Sequence, residues 1–214
     1  MKLHNKAIII ILLISSLHIQ ATEPYFPSKT IITSGNYYSV FIMDQGKSEV
    51  VDLSSMLLFY NANLEQEYAE EIARIYLEES ISEGVNHDIA FCQMILETGF
   101  LNYGGSVKKS QYNYCGLGAT ASTVAGEVFP DIRTGIRAHI QHLKAYASFD
   151  DIQKESVDRR FRFVKRGSAT NIYALPGKWA SDPYYDKKIE NLMERLFAHR
   201  SFYAQHPNSF TEVH

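Results

Sequence analysis

The chain has 214 residues, a formal net charge of −3 at pH 7 and two cysteines. This length is enough for one domain with a sizeable hydrophobic core. The charge excludes a general attraction to nucleic acid, which calls for a basic surface, so we expect no nucleic-acid partner. A basic run from Arg159 to Arg166 is interpreted as a solvated charged face, with local contact to an anionic polymer left open.

The first 21 residues have the plan of a secretory signal peptide. Lys2 and Lys6 precede an apolar run from Ala7 to Ile14, and small and polar residues then lead to Ala21. The run is too short to span a bilayer comfortably, and no second run follows. We therefore predict a signal peptide over residues 1–21, export to the periplasm or the extracellular space, and no stable membrane anchor.

Residues 22–60 are interpreted as a small N-terminal extension. Thr30–Thr33 and Tyr38–Ile42 are rich in β-branched and aromatic residues, with turn residues at 34–36 and 44–46. This pattern predicts two short strands.

From residue 61 the hydrophobic period becomes helical, which predicts a catalytic domain over residues 61–200 and a tail over 201–214. Four helices are predicted from their start and stop signals. They are Leu64–Ser82 after the cap residue Asn63, His87–Thr98 between Asn86 and Gly99, a helix capped by Thr134 and reaching Ala147, and a last helix from Asp182 and Pro183 to Leu196.

Two other segments complete the domain. Residues 102–130 are rich in Gly, Ser, Thr and Tyr and have no sustained period, which is typical of long loops that carry function. A short helix is predicted near Ile152–Arg159, within the polar stretch before the last helix.

Glu97 ends the second predicted helix, whose residues from Ile89 to Leu96 are apolar almost all round and therefore buried. Desolvation and the negative end of the helix dipole both favour the neutral form of a carboxyl at this position. A neutral carboxylic acid can protonate the leaving oxygen in glycoside hydrolysis. Position alone leaves open the alternative of an exposed last-turn residue.

The residues around and after Glu97 form an ordered set of blocks. These are Ala90–Phe100, which contains Glu97-Thr98-Gly99, then Tyr112–Gly118, Phe129–Leu143 and Trp179–Tyr185. Together they resemble the glucosaminidase family of peptidoglycan hydrolases, glycoside hydrolase family 73. The resemblance covers roughly Leu64 to Leu196.

The resemblance implies a mainly α (α+β) lysozyme-like fold, with a helical lobe, a small irregular lobe and a substrate groove. It implies hydrolysis of the β-1,4 bond after N-acetylglucosamine in the glycan strands of peptidoglycan. Glu97 falls on the general acid of the family, and Asn113 and Gly116 fall on a segment that lies beside it in the cleft. Tyr185 is the better match to an assisting tyrosine, with Tyr184 as the alternative.

The second catalytic group is left open by the sequence. Glu127 is the first candidate and Asp131 the second, and the N-acetyl group of the substrate is a third route that needs no second carboxylate. The separation of two carboxyls decides between retention and inversion, and a sequence does not give it.

Aromatic residues that flank the matched blocks are candidates for lining the groove, because aromatic faces bind sugar rings. Tyr112, Tyr114 and Trp179 are chosen on this ground, with Tyr184 beside them. Core packing is expected to explain most of the other aromatic residues.

The histidines and cysteines suggest other chemistry that the sequence does not support further. His139 and His142 are three apart on one helix but lack a third ligand at a recognisable spacing, so we expect no metal and no cofactor. Cys92 and Cys115 leave a disulfide open, and activation of Cys115 by a histidine requires a contact that the sequence does not reveal.

Several functions compete with glucosaminidase activity. A muramidase or lytic transglycosylase on the same fold also relies on one glutamate at a helix end. The sequence also leaves open a non-catalytic wall-binding module, activity toward glycoprotein N-glycans, and an amidase. We expect a monomer.

Overall fold

The computed structural model describes residues 38–105, 107–119 and 126–205, which all belong to one compact unit. The predicted signal peptide, the predicted strand Thr30–Thr33 and residues 206–214 lie outside the described residues. Across the described ranges, no helix is long and apolar enough to cross a membrane.

Five α-helices build the described part of the chain, which confirms the prediction of a mainly helical fold. They are α1 Val50–Tyr60, α2 Gln66–Glu83, α3 His87–Thr98, α4 Ile132–Ala147 and α5 Tyr185–Gln205. Short 3-10 helices lie at Lys109–Gln111, Phe161–Phe163 and Ile172–Ala174. Extended pairing within these ranges is limited to isolated bridges, such as Phe41 with Asn171 and Met43 with Val85.

Helix α3 is the central element and packs against α2, α4 and α5. It begins where the sequence predicts, because the Asn86 side chain accepts hydrogen bonds from the backbone N–H groups of Asp88 (3.0 Å) and Ile89 (3.4 Å). It ends at Gly99, which has a left-handed backbone (φ 58°) and whose N–H donates to the carbonyl of Ile95. The residues from Ile89 to Ile95 are buried, as their apolar pattern predicts.

Residues 38–60 differ from the predicted extension with short strands. Tyr38–Ile42 is not a strand but an irregular segment with an isolated bridge at Phe41. The N–H of its fully buried Ile42 donates to the Thr170 carbonyl (3.0 Å), and its carbonyl accepts from the Asn86 N–H (2.8 Å). Helix α1 follows and packs against α2 and α5. This region is therefore part of the domain body, because its apolar side chains are needed to complete the core.

The helix predicted near Ile152–Arg159 is absent, because side chains from neighbouring helices bind its backbone donors. The buried carboxylate of Glu83 accepts from the N–H groups of Gln153 (2.9 Å) and Lys154 (3.2 Å). Gln141 accepts in the same way from Val157 at 3.0 Å. These bonds hold the segment in an irregular conformation against α2 and α4.

Three helix boundaries also differ from their predictions. Helix α2 begins at Gln66 after the cap residue Glu65, not after Asn63. Helix α4 is capped by Asp131, whose carboxylate accepts from the Thr134 N–H at 2.8 Å, so Thr134 lies inside the first turn. Helix α5 continues to Gln205, into the predicted tail.

Candidate active site

Glu97 lies in the last turn of α3, and its carboxyl is largely enclosed. Burial raises the pKa of Glu97 above its usual range, against hydrogen bonds from Tyr185 and Trp179 that act to lower it. A carboxyl with a raised pKa keeps its proton closer to neutral pH, as a general acid requires.

The chain turns sharply after Glu97. Phe100, Leu101 and Tyr103 all have left-handed backbones, with φ values of 55°, 62° and 53°. The hydroxyl of Thr98 accepts from the Leu101 N–H at 3.0 Å, and the Asn61 side chain donates to the Phe100 carbonyl at 2.8 Å. Left-handed residues other than glycine cost about 1 kcal/mol or more each, and such strain clusters at functional sites.

Tyr185, the first residue of α5, contacts Glu97 directly. Its hydroxyl donates to the Oε1 atom of Glu97 at 2.7 Å, and its side chain is almost fully buried. The sequence left Tyr184 as an alternative, but Tyr184 is 69% exposed and lies in a separate groove formed by α3 and α5. The structure thus places Tyr185, and not Tyr184, at the acid.

A mostly polar cleft of about 420 Å³ opens beside Glu97. This volume lies within the range of small-ligand sites. The cleft is lined by Glu97, Val107, Cys115, Gly116, Ala119, Trp179, Ala180 and Ser181. Of the residues that the sequence predicts in the groove, Gly116 and Trp179 are therefore in the lining.

Trp179 is held by a cluster of aromatic rings. Its ring centroid lies 5.6 Å from that of His139, 5.3 Å from that of His142 and 5.7 Å from that of Tyr146. The residue is partly buried and lies in the lining of the cleft.

Asn113 organises the irregular wall of the cleft and does not line it. Its fully buried side chain donates to the carbonyls of Leu117 (2.9 Å) and Glu127 (3.1 Å), and accepts from the Leu117 N–H at 3.0 Å. All three bonds are made to its own loop, so the structure places Asn113, a predicted substrate-binding residue, inside this wall and not at its surface. Its amide ties the segment before Gly116 to the one that carries Glu127.

The same wall is fixed to α4 through Gly135. A Cβ atom at this position would lie 1.7 Å from the backbone oxygen of Tyr112. Only glycine permits this approach, so Gly135 sets the position of the loop that reaches the cleft.

Tyr112 and Tyr114 are not among the residues that line the cleft. Tyr114, predicted as a groove residue, is fully buried, and its hydroxyl lies 3.4 Å from that of Tyr68. Tyr112 is partly buried and packs between the two apolar clusters of the core. Side-chain direction in an irregular loop depends on tertiary packing, which separates these tyrosines from Gly116.

The two candidate carboxylates for the second role lie in different settings. Asp131 caps α4 and is bound by the N–H and the hydroxyl of Thr134, so it has a structural task. Glu127 is partly buried and packs against Gly118, and its Oε2 atom has no hydrogen-bond partner among the described residues. Glu127 is not among the residues lining the cleft, although both it and Glu97 act electrostatically on the Cys115 thiol.

His139 and His142 have structural partners, and the two cysteines are not paired with each other. Both ring nitrogens of buried His139 are in hydrogen bonds, to Tyr76 and Gln93, and His142 binds Asp158 at 2.8 Å. Cys92 and Cys115 are free thiols, and burial raises the pKa of each, so the disulfide that the sequence left open is not formed.

Sequence reasoning missed Gln93, which donates to the Tyr185 hydroxyl at 3.1 Å. Its spacing of four residues before Glu97 places both side chains on one face of α3, and that spacing was the available signal. His139, which meets the other end of Gln93 at 3.1 Å, gave no comparable signal.

A largely enclosed carboxyl, bound by a phenol at the edge of a polar cleft, meets the requirement of a glycoside hydrolase for a proton donor. The chain belongs to the glucosaminidase family, described as mannosyl-glycoprotein endo-beta-N-acetylglucosaminidase, whose model matches residues 59–197. This confirms the family predicted from the residue blocks.

Proteins similar to this chain include a bacterial relative and two crystal structures. An uncharacterized protein of Borreliella burgdorferi is 46% identical over 164 residues, which cover 77% of this chain and 80% of the relative. A crystal structure of S. aureus autolysin E with the muropeptide NAM-L-Ala-D-iGlu is 19% identical, with a TM-score of 0.48 and coverage of 76% of this chain and 72% of that chain. A catalytic mutant of autolysin E with the disaccharide NAG-NAM is 17% identical, with a TM-score of 0.46 and coverage of 79% and 75%.

Proposed function

We propose that this protein is an endo-β-N-acetylglucosaminidase that hydrolyses the β-1,4 bond after N-acetylglucosamine in peptidoglycan glycan strands. The observation that carries the proposal is Glu97, a carboxyl with a raised pKa that opens into a polar cleft and is bound by Tyr185. Membership of the glucosaminidase family supports the type of reaction.

The two oxygens of Glu97 have different surroundings, which suggests how the acid works. Oε1 accepts the Tyr185 hydrogen bond, whereas Oε2 lies 3.8 Å from where a Cβ atom on Gly116 would be, at the lining of the cleft. We therefore place the acid proton on Oε2, the oxygen that lies nearer Gly116 in the lining of the cleft. Transfer of this proton neutralises the leaving alkoxide as the sugar becomes oxocarbenium-like.

Residues on the rim of the cleft fit recognition of a sugar chain. The partly exposed Trp179 lines the cleft, and an aromatic side chain there can bind a pyranose ring. Gly116, which has no side chain, lines the cleft beside Glu97. We assign substrate binding to these two residues. We assign the second catalytic role to the N-acetyl group of the substrate, because Glu127 is not among the residues that line the cleft.

The identity of the new chain end tests this function. Purified peptidoglycan is digested with the protein, and the products are reduced and analysed by mass spectrometry. Reducing N-acetylglucosamine ends, absent with Glu97→Gln, are the expected result. Reducing N-acetylmuramic acid ends would assign a muramidase instead, and anhydro ends a lytic transglycosylase.

A parallel digestion of a high-mannose glycoprotein tests the substrate that is named in the family's description. We expect no release of glycan under conditions that solubilise peptidoglycan. Release of N-glycans with intact peptidoglycan would reverse the substrate assignment while leaving the reaction type in place.

We further propose that the protein acts outside the cytoplasm as a monomer after cleavage at Ala21. The charged start, the short apolar run and the small residues that end at Ala21 support export. N-terminal sequencing of the protein from the extracytoplasmic fraction should begin at Thr22. A full-length chain in the cytoplasmic fraction would contradict export, and a dimer on size-exclusion chromatography would contradict the monomer.

A further inference from the structure

A continuous hydrogen-bond chain runs from the core of the domain to Glu97. The Tyr76 hydroxyl meets Nδ1 of His139 at 2.9 Å, and Nε2 of His139 meets Oε1 of Gln93 at 3.1 Å. The amide of Gln93 donates to the Tyr185 hydroxyl at 3.1 Å, which donates to Oε1 of Glu97 at 2.7 Å. The members come from α2, α4, α3 and α5, so the chain crosses four helices.

Every member of the chain except Glu97 is buried away from water. Tyr76, Gln93 and His139 have no exposed surface, and Tyr185 is 3% exposed. Buried polar groups of this kind are costly unless each finds a partner, and a fully satisfied network specifies one arrangement. Solvent cannot supply an alternative donor along the chain.

The direction of the whole chain follows from Glu97. An ionised carboxylate only accepts hydrogen bonds, so Tyr185 must donate to it and must itself accept from the Gln93 amide nitrogen. The Gln93 oxygen then has to accept from N–H at Nε2 of His139. In a neutral imidazole Nδ1 is consequently the acceptor, and it takes the Tyr76 hydroxyl hydrogen.

The setting of His139 keeps the imidazole neutral, as this direction requires. Burial, with a smaller effect of the neighbouring His142, lowers the pKa of His139 to about 3. The groups that face it are Tyr76 from α2, Gln93 from α3 and the Trp179 ring. None of these three carries a charge that would favour protonation of the ring.

We infer that Gln93 and His139 are positioning residues that hold the Tyr185 hydroxyl as a donor to Oε1 of Glu97, so that Oε2 alone carries the acid proton into the cleft. This inference rests on the proposed function and extends it to residues that do not touch substrate. When Oε2 takes up a proton, Oε1 still accepts from Tyr185. The chain therefore keeps one direction through both protonation states of the acid.

The first test is the tautomer of His139, read from the ring nitrogen shifts in a ¹⁵N NMR spectrum of the whole protein. The inference expects a proton on Nε2 and none on Nδ1 near neutral pH. A proton on Nδ1 would overturn it, because Gln93 would then be flipped and Tyr185 would donate to Gln93. This measurement needs no substrate, so it stands even where the protein cleaves no peptidoglycan.

The second test is a double-mutant cycle on peptidoglycan hydrolysis. Gln93→Met keeps the side-chain volume, removes both hydrogen bonds and should lower kcat about fivefold at unchanged KM, the effect of one lost hydrogen bond. If Gln93 acts through Tyr185, Gln93→Met should cost nothing further in a Tyr185→Phe background. An equal loss in both backgrounds would indicate a merely structural role and overturn the inference.

The pH profile of kcat is a third test, because a loss of packing alone does not shift its basic limb. Without the Gln93 donor the Tyr185 hydroxyl is a weaker donor, the Glu97 carboxylate is less stabilised, and the basic limb of kcat should shift upward. The groups that face Glu97 are Tyr185 from α5 with Trp179 and Cys115 from the loops, and none of them changes in the variant. An unmoved limb would contradict the inference.

If Gln93→Met fails to fold, Tyr76→Phe is a second variant that tests the hydrogen-bond chain. It removes only the terminal donor, so we expect a smaller upward shift of the same limb. A downward shift would contradict the proposed direction.

Discussion

The two walls of the cleft are built in different ways. The helical wall presents Glu97 from α3 and Tyr185 from α5, both fixed by packed helices and by a buried hydrogen-bond chain. The irregular wall, residues 107–119 and 126–131, is fixed by single side chains such as Asn113 that bond to loop backbone. The difference indicates that the acid is placed by the core, whereas the opposing groups depend on a few loop contacts.

The largest effect is expected from Glu97→Gln, which keeps the shape of the side chain but removes the acid. Activity on peptidoglycan should fall about a thousandfold, because general acid catalysis contributes of this order. Turbidity loss of a peptidoglycan suspension measures it. The matched control is Glu67→Gln on the exposed face of α2, which should keep full activity. Full activity in Glu97→Gln would mean that Glu97, on the helical wall, is not the acid catalyst.

Tyr185→Phe should have the next largest effect. The lost hydrogen bond to a carboxylate is worth about 1.5–3 kcal/mol, so kcat/KM should fall roughly 10- to 100-fold. Tyr173→Phe is the control, since its hydroxyl also donates to a glutamate, Glu190, at 2.7 Å but on the protein surface. Equal rates for the two variants would show that the bond to Glu97 has no catalytic weight.

Gly135→Ala probes how the irregular wall is held. The added methyl group would overlap the Tyr112 backbone oxygen, so we expect a loss of about 1–3 kcal/mol in the free energy of unfolding and a displaced loop. Urea unfolding of this variant beside Gly104→Ala measures the difference, because among the described residues nothing beyond the adjacent ones lies within 4 Å of the methyl group added at Gly104. Equal stability would mean that α4 does not position this wall.

Glu127→Gln should have a smaller effect on activity than Tyr185→Phe. We expect a fall of less than about tenfold, under ~1.4 kcal/mol, because the substrate N-acetyl group is assigned the second role. The rate on peptidoglycan measures it. A fall as large as that of Glu97→Gln would instead make Glu127 the second catalytic carboxylate and would place equal catalytic weight on both walls.

The smallest effect concerns stability and pH. Because the pKa of Glu97 is raised by folding, ionising it costs stability as pH rises through that pKa. Glu97→Gln should therefore melt at a higher temperature than wild type at neutral pH, and the gap should close at about pH 4, near the usual glutamate pKa. If the difference in melting temperature widened in acid, folding would lower the pKa of Glu97 and not raise it.

Local signals made the helical wall predictable. Asn86 and Gly99 cap the two ends of α3 through contacts within a few residues, so the ends of this helix and the position of Glu97 could be predicted from the sequence. Helix α1 was missed although its buried residues Leu53, Met56 and Leu57 stand at the helical spacing i, i+3 and i+4, so a local signal was available and was not used. The chain through Gln93 joins residues up to 92 positions apart, which local patterns do not reveal.

The irregular wall was predictable only in outline. The segment with Asn113 and Gly116 was expected beside Glu97, and Gly116 does line the cleft. Which of its side chains face the cleft depends on how the loop packs on Gly135, so Asn113 and Tyr114 were placed in the cleft although both are buried. Tyr185 was already the better match in the sequence, and the structure places its hydroxyl on Glu97 while Tyr184 is exposed.

The most direct test of the central claim is the titration of the Glu97 carboxyl itself, followed by ¹³C NMR of labelled protein and assigned with Glu97→Gln. A buried acid held by the helical wall should titrate clearly above the usual glutamate pKa of about 4.3. A midpoint at or below that value would mean that Glu97 is ionised when the substrate arrives, and would contradict its role as the proton donor.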